Sequence, residues 1–328
     1  MSVKAAVLET PRGLEFLKIK DIEEKGSVGK IRIKVIQAGI NPVDYNLIHG
    51  KIIYGINPIP HIPGTECYGV ALSSGHSIRE GDSVIVYPRL YDGTCDFCLD
   101  GHEELCINGG LFGVNTNGSY AEEIYVDERN VYRVSGIDKD LAGSIPVGGL
   151  TAYHAIKRTR PREGESILVY GASGNTGIWA VQIAKSMGLK VIAVSGKGWI
   201  SEYGVDKVYR IDEIPGDLKA EIVLNSLGGS VFADSLNHVQ RGGRIVTFGI
   251  YNGKESTLDI SRIYSSEISI FGTTGGSRDD MNDILKLART GKIRMPVEKR
   301  LDLKEIGKAM TQFKSKSTGR IVIEPTNA

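Results

Sequence analysis

Four residues in one short stretch, Asp92, Cys95, Cys98 and Cys106, follow the spacing D-x2-C-x2-C-x7-C in a loop that also carries Gly and Asp. Three thiolates and one carboxylate complete a tetrahedral shell, which suits a structural zinc and leaves no coordination position for a substrate. A disulfide between two of these cysteines, or three free thiols, are the competing readings. With only 4 cysteines in 328 residues, clustering of this kind points to metal before disulfide. Cys67 stands apart and reads as buried structure.

The second group with chemical potential is the run Val169-Tyr170-Gly171-Ala172-Ser173-Gly174-Asn175-Thr176-Gly177. It stands between an apolar strand pattern and a helical one, where the pyrophosphate of a dinucleotide meets a helix N-terminus. Gly174 lets the backbone approach the phosphates and Gly177 lets helix pack on strand, while Ala172 replaces the first glycine of the strict pattern. An NAD-selective site carries a carboxylate some 20 residues further on. This chain has Val194-Ser195-Gly196-Lys197 there, so NADP(H) is expected over NAD(H), with Lys197 facing the extra phosphate; a solvated turn lysine is the plainer alternative.

These residues need a scaffold, and the periodicity supplies one. Up to about residue 140, short runs such as Ile31-Arg32-Ile33-Lys34-Val35 alternate between Gly, Pro and Asp turns, a mostly-β pattern. From Ser166 the rhythm becomes strand, helix, strand, and it continues through Glu221–Leu224, Gly243–Phe248 and Ile268–Phe271. The fold class is α/β, with a doubly wound parallel sheet of Rossmann type in the second half. Asp279–Thr290 reads as a helix closed by Gly291, and a last strand at Arg320–Ile323 rejoins the first domain. The expected division is 1–145 with 277–328, around 146–276.

Composition narrows the function classes. A formal net charge of +1, with 24% charged residues, offers no polyanion-binding surface, so nucleic acid is excluded as a partner and a small molecule is expected. No apolar run reaches the roughly 18 residues of a membrane span, and the start is too short for a signal peptide, so a cytoplasmic location is expected.

Taken together, the residues resemble the medium-chain dehydrogenase/reductase superfamily of zinc alcohol dehydrogenases and quinone oxidoreductases. The carriers are Ala38-Gly39-Ile40-Asn41-Pro42-Val43-Asp44, Pro63-Gly64-Thr65-Glu66-Cys67-Tyr68-Gly69, the cysteine loop, Gly118-Ser119-Tyr120-Ala121-Glu122, Gly149-Leu150-Thr151-Ala152-Tyr153, the glycine-rich turn and Gly242-Gly243-Arg244-Ile245-Val246. The resemblance implies a GroES-like catalytic domain built from both chain ends, an active site in the cleft, and a homodimer or homotetramer. It implies dinucleotide contacts from Thr151, Ser173, Asn175, Thr176, Ser195, Lys197, Asn225, Gly249 and Thr273, with Arg320 approaching the phosphates.

The zinc alcohol dehydrogenases hold a catalytic zinc by a Cys after the first Ala-Gly, the His of a Gly-His-Glu motif, and a Cys or Asp before the Thr151 segment. This sequence has Asn41, Thr65 and Val147 there, none a substitute for thiolate or imidazole. The expected enzyme is therefore an NAD(P)H-dependent reductase of carbonyl-conjugated double bonds or quinones, with one structural zinc and no catalytic zinc. Asn41 is expected near cofactor or substrate carbonyl, Tyr45 as a hydrogen-bond or proton donor, and Asp44 beside them. Two alternatives stand: a zinc alcohol dehydrogenase using Asp44, Glu66 or His61 unconventionally, and a non-enzymatic NADPH-binding protein.

Overall fold

The structure, a computed structural model, describes residues 2–23, 26, 28–52, 55–313 and 319–325. Its chain divides into two units, Met1–Val147 with Ser277–Ala328, and Gly148–Gly276.

In the first unit the long strand β1 (Lys30–Gly39) buries Ile31, Ile33 and Val35 on one face, the period of two that its sequence shows. It pairs antiparallel with β2 (Cys67–Ala71), which pairs with β3 (Ser83–Val86); β4 (Glu123–Asp127) also pairs with β1, and β5 (Val131–Arg133) with β3. Directly after β1 comes a helix, α1 (Pro42–Ile48). Asn41 caps it, Pro42 supplies a ready-made helical φ, and Asp44 reaches back to the Asn41 N–H at 2.8 Å.

The second unit is built on six parallel strands: β6 (Ser166–Tyr170), β7 (Lys190–Val194), β8 (Lys207–Tyr209), β9 (Ala220–Asn225), β10 (Val239–Thr247) and β11 (Ser269–Gly272). Their order is β8-β7-β6-β9-β10-β11, so the winding reverses between β6 and β9. Ligands bind such sheets at the carboxyl ends of the strands where the order reverses. Ile167 to Tyr170 are all fully buried, as a strand covered on both faces must be. Helices α2 (Asn175–Ser186) and α3 (Gly229–His238) follow β6 and β9.

The chain then returns to the first unit through α4 (Arg278–Ala288), whose cap is Ser277 with Asp280 in a reciprocal pair. Strand β12 (Val297–Leu301), helix α5 (Ile306–Phe313) and strand β13 (Arg320–Ile323) complete the unit, β13 pairing with β1 to make a seven-stranded sheet. Among the described residues no helix is long and apolar enough to cross a membrane.

Candidate functional site

The glycine-rich turn joins β6 to α2 at the reversal point. Gly171 adopts φ +70, a conformation that favours glycine, and its carbonyl accepts the Gly174 N–H at 2.9 Å. Gly174 is the N-cap of α2, so the N–H groups of that helix's first turn have no carbonyl within the helix to pair with. A Cβ on Gly177 would overlap the Gly171 carbonyl oxygen and lie 2.8 Å from Ala172 backbone atoms, so only glycine lets α2 sit this close to β6. Ala172 itself is fully buried, leaving its backbone as the part that faces the turn.

Around this turn the ends of the neighbouring strands assemble. Ser173 and Ser195 share a hydrogen bond of 2.8 Å between their hydroxyls, and Ser195 also accepts the Lys197 N–H at 3.0 Å. Gly249 packs against Ser226 so closely that a Cβ would overlap the Ser226 carbonyl. Thr273 follows β11, its N–H donating to the Thr247 carbonyl at 3.0 Å. Asn175 and Thr176 open α2, and Thr151 lies in the first turn of the helix Leu150–Arg158.

One expected dinucleotide contact requires correction. Asn225 is fully buried and its amide is already saturated: it donates to the Val231 carbonyl at 3.0 Å and the Ser235 hydroxyl at 2.8 Å, and accepts from Leu227 N at 2.9 Å and Gly228 N at 3.0 Å. It builds the β9–α3 turn rather than meeting a ligand. Arg320, in the first unit, pairs its buried guanidinium with the fully buried Glu66 carboxylate through one nitrogen, while its Nε and Nη1 have no partner among the described residues.

A residue that sequence reasoning missed stands nearby. Val194 pairs with Tyr209 and Ser195 donates to the Tyr209 carbonyl at 2.9 Å, which sets Arg210 next to the Ser195–Lys197 turn. Its guanidinium is exposed and reaches Asp212 at 3.4 Å. Only the pairing of two strands a dozen residues apart brings it there.

In the first unit, the three positions expected to lack zinc ligands all gather on two buried carboxylates. Asn41 N and Thr65 N donate to the two oxygens of Asp44 at 2.8 and 3.0 Å, and Val147 N donates to Glu66 at 3.2 Å. Asn41, Asp44, Thr65 and Glu66 are all fully buried. Burial raises the Asp44 pKa to about 7, against the hydrogen bonds it accepts; Glu66 is raised as well, chiefly by burial, with Arg320 and the Asn41 amide pulling the other way. Asp44 is fully buried and holds the loops of Asn41 and Thr65 through these two hydrogen bonds. Tyr45, one residue on and so about 100° around the helix, stacks on His49 with centroids 4.1 Å apart. Tyr120, in the bend before β4, donates to the Gly39 carbonyl at 3.1 Å and closes the cluster.

The metal loop fits a tetrahedral ion. Ligand atoms of Asp92, Cys95, Cys98 and Cys106 all lie within 4.8 Å of one another, and the sulfurs of Cys95 and Cys106 are 3.8 Å apart. Zinc–sulfur bonds of about 2.3 Å arranged tetrahedrally give an edge of about 3.8 Å. No disulfide joins the four cysteines of the chain. Asp92 is oriented by Thr94 N, Cys95 N and the Asn108 amide at 2.8, 3.1 and 2.6 Å, and these donors hold its carboxyl well below the usual range. The Asp92 N–H in turn donates to the Cys106 sulfur at 3.3 Å.

A buried parallel sheet with a glycine-rich turn at its reversal point, joined to a β unit with a four-ligand loop, defines a dinucleotide-dependent oxidoreductase architecture. The chain belongs to the medium-chain dehydrogenase/reductase superfamily. Residues 27–136 match the alcohol dehydrogenase GroES-like domain and residues 176–290 the zinc-binding dehydrogenase domain. The NAD-dependent alcohol dehydrogenase of Sulfolobus acidocaldarius is 30% identical, covering 95% of this chain and 97% of that one. The acryloyl-coenzyme A reductase of Metallosphaera sedula is also 30% identical, covering 98% and 99%. A cobalt- and zinc-bound thermostable alcohol dehydrogenase from Pyrobaculum aerophilum superposes with a TM-score of 0.94 at 36% identity, over 99% of this chain and 100% of that one.

Proposed function

We propose that this oxidoreductase reduces carbonyl-conjugated double bonds or quinones with NADPH, without a catalytic zinc and with one zinc in the cysteine loop. The observation that carries the reading is the position of Asn41, Thr65 and Val147, whose backbone N–H groups are turned onto Asp44 and Glu66 in place of a ligand set. An alcohol must lose a proton as its hydride leaves, a step that zinc assists. A conjugated acceptor needs only hydride, hydrogen-bond donors for its carbonyl oxygen, and a proton from water.

Each unit has its part. A bound nicotinamide supplies the hydride. The N–H groups of the first turn of α2, with Ser173 and Ser195, receive the pyrophosphate and ribose, while Lys197 and Arg210 face the additional phosphate of NADP. The acryloyl-coenzyme A reductase among the relatives supports a conjugated thioester as acceptor. The relatives named alcohol dehydrogenases support the second reading, oxidation of alcohols with a second metal.

NADPH oxidation against enones, enoyl thioesters, quinones and aldehydes, paired with zinc per chain on the same sample, separates the two. Turnover of conjugated acceptors with one zinc is the expected result; aldehyde turnover with two zincs overturns it. In the same assay Lys197→Ala and Arg210→Ala should each raise KM for NADPH about tenfold, as loss of a charge-assisted phosphate contact does, and leave KM for NADH within about twofold. Equal effects on both cofactors remove the NADP preference.

We also read the outermost strand β11 as the contact between copies of the chain. Ile270 on that strand, and Ile260 and Tyr264 just before it, are exposed, and an open strand edge with apolar neighbours pairs readily with its own copy about a two-fold axis. Light scattering at twice the chain mass or more is expected; a monomer at micromolar concentration contradicts it.

A further inference from the structure

The metal loop has an inverted polarity. Between Cys98 and Cys106, Glu103 and Glu104 are less than a tenth exposed, while Leu99 in the same stretch and Ile107 just after it are 71% and 72% exposed. Two adjacent carboxylates turned inward from a surface loop must be satisfied there. Glu104 meets His102 at 3.1 Å. Glu103 reaches out of the loop altogether: its Oε2 accepts the Arg278 N–H at 3.2 Å, so a carboxylate from the metal loop satisfies an N–H in the first turn of α4.

The same helix start is held at two further points. The Arg278 guanidinium lies over the Tyr91 ring, 5.5 Å from its centroid, and its Nε donates to the Tyr132 hydroxyl at 3.2 Å. Tyr91 is the neighbour of the ligand Asp92, and Arg129 stacks on the same ring at 5.0 Å while donating to the Asp92 carbonyl at 3.4 Å. Ser277, the residue before Arg278, is where the chain returns to its first unit. Beyond its own cap, this helix start is thus met by Glu103 from the metal loop, by Tyr91 beside that loop and by Tyr132 on β5.

We infer that the metal loop clamps the point where the chain re-enters its first unit, with Glu103 as the positioning residue that passes metal occupancy to the first turn of α4. The inference rests on the reading that one zinc fills the four-ligand loop. Without the ion, the loop loses the cross-links that hold Tyr91 and Glu103 in place, and the start of α4 opens locally while the sheet stays folded.

Hydrogen exchange followed by mass spectrometry on the full chain tests this, comparing protein as purified, protein stripped by a chelator, and stripped protein given zinc alone. Amides in 277–282 should exchange about tenfold faster after stripping, the worth of one charge-assisted hydrogen bond, and recover with zinc. Glu103→Ala should keep its zinc yet show the same faster exchange, and Glu103→Gln, which retains an acceptor oxygen, should restore part of the protection. If Glu103→Ala does not fold, Glu103→Asp, which keeps the charge but draws the carboxylate back from the Arg278 N–H, should keep its zinc and still speed exchange at the start of α4. Absence of zinc from the purified protein overturns the metal reading itself. Zinc present, with opening confined to 92–106 on stripping or with wild-type exchange in these variants, overturns the clamp.

Discussion

Gly177→Ala should weaken NADPH binding by at least about a hundredfold and destabilise the protein by about 1–3 kcal/mol, the usual cost of overpacking a tight contact. The added Cβ would overlap the Gly171 carbonyl oxygen and press on Ala172, and both are backbone that cannot rotate away. Relief comes only if α2 moves off β6, which pulls its first-turn N–H groups away from the place where a pyrophosphate would sit. Gly174→Ala is the control. Its Cβ would lie 3.3 Å from the same oxygen and its φ of −78 suits any residue, so stability should stay within about 1 kcal/mol of wild type. Titrating protein fluorescence with NADPH, beside urea unfolding of both variants, reads the two effects. A Gly177→Ala protein that binds NADPH normally would mean that this turn does not hold the dinucleotide.

The contrast between these two glycines was open to sequence reasoning because strand, turn and helix are contiguous, and neighbours along the chain are neighbours in space. The same holds for the metal loop, whose four ligands fall within 15 residues. Helix α1 was harder to see. Seven residues give barely two turns, too short for a helical period, and its only signals are the cap Asn41, Pro42 at the first position and Asp44 at the third. A resemblance places a side chain without saying what else lies within its reach, which is why Asn225 is expected at the dinucleotide although its own turn takes up its amide. Asn225 finds Ser235 ten residues on; Arg320 finds Glu66 across 254 residues. Arg210 escaped notice for the opposite reason, since only the pairing of β7 with β8 brings its neighbour Tyr209 against Val194 and Ser195.

Removing the cation from the buried pair, as Arg320→Met, should cost about 3–5 kcal/mol, the penalty for leaving a buried charge uncompensated. Gly39 shows how little room there is: a Cβ at that position would overlap both the Arg320 guanidinium and the Glu66 carboxylate. The groups facing Glu66 are Arg320, Asn41, the Val147 N–H, Asp44 and Tyr120, and Arg320 alone among them is a cation. Glu66 is already raised by burial with Arg320 present, so without it the carboxyl rises further and takes up a proton in the folded state. A group raised on folding gives stability that is complete below its unfolded pKa and is lost as pH rises through the folded one. The defect of Arg320→Met should therefore be small near pH 5 and largest near pH 8, and Glu66→Gln in the same chain should relieve most of it at pH 8. Asp44, raised to about 7, adds a slope of the same sign to every variant that keeps it, so the comparison is made against wild type at each pH. Urea unfolding of the three proteins at both pH values decides the matter: a defect equal at pH 5 and 8 and untouched by Glu66→Gln would assign Arg320 a packing role and leave the Glu66 charge out of the stability of this cluster.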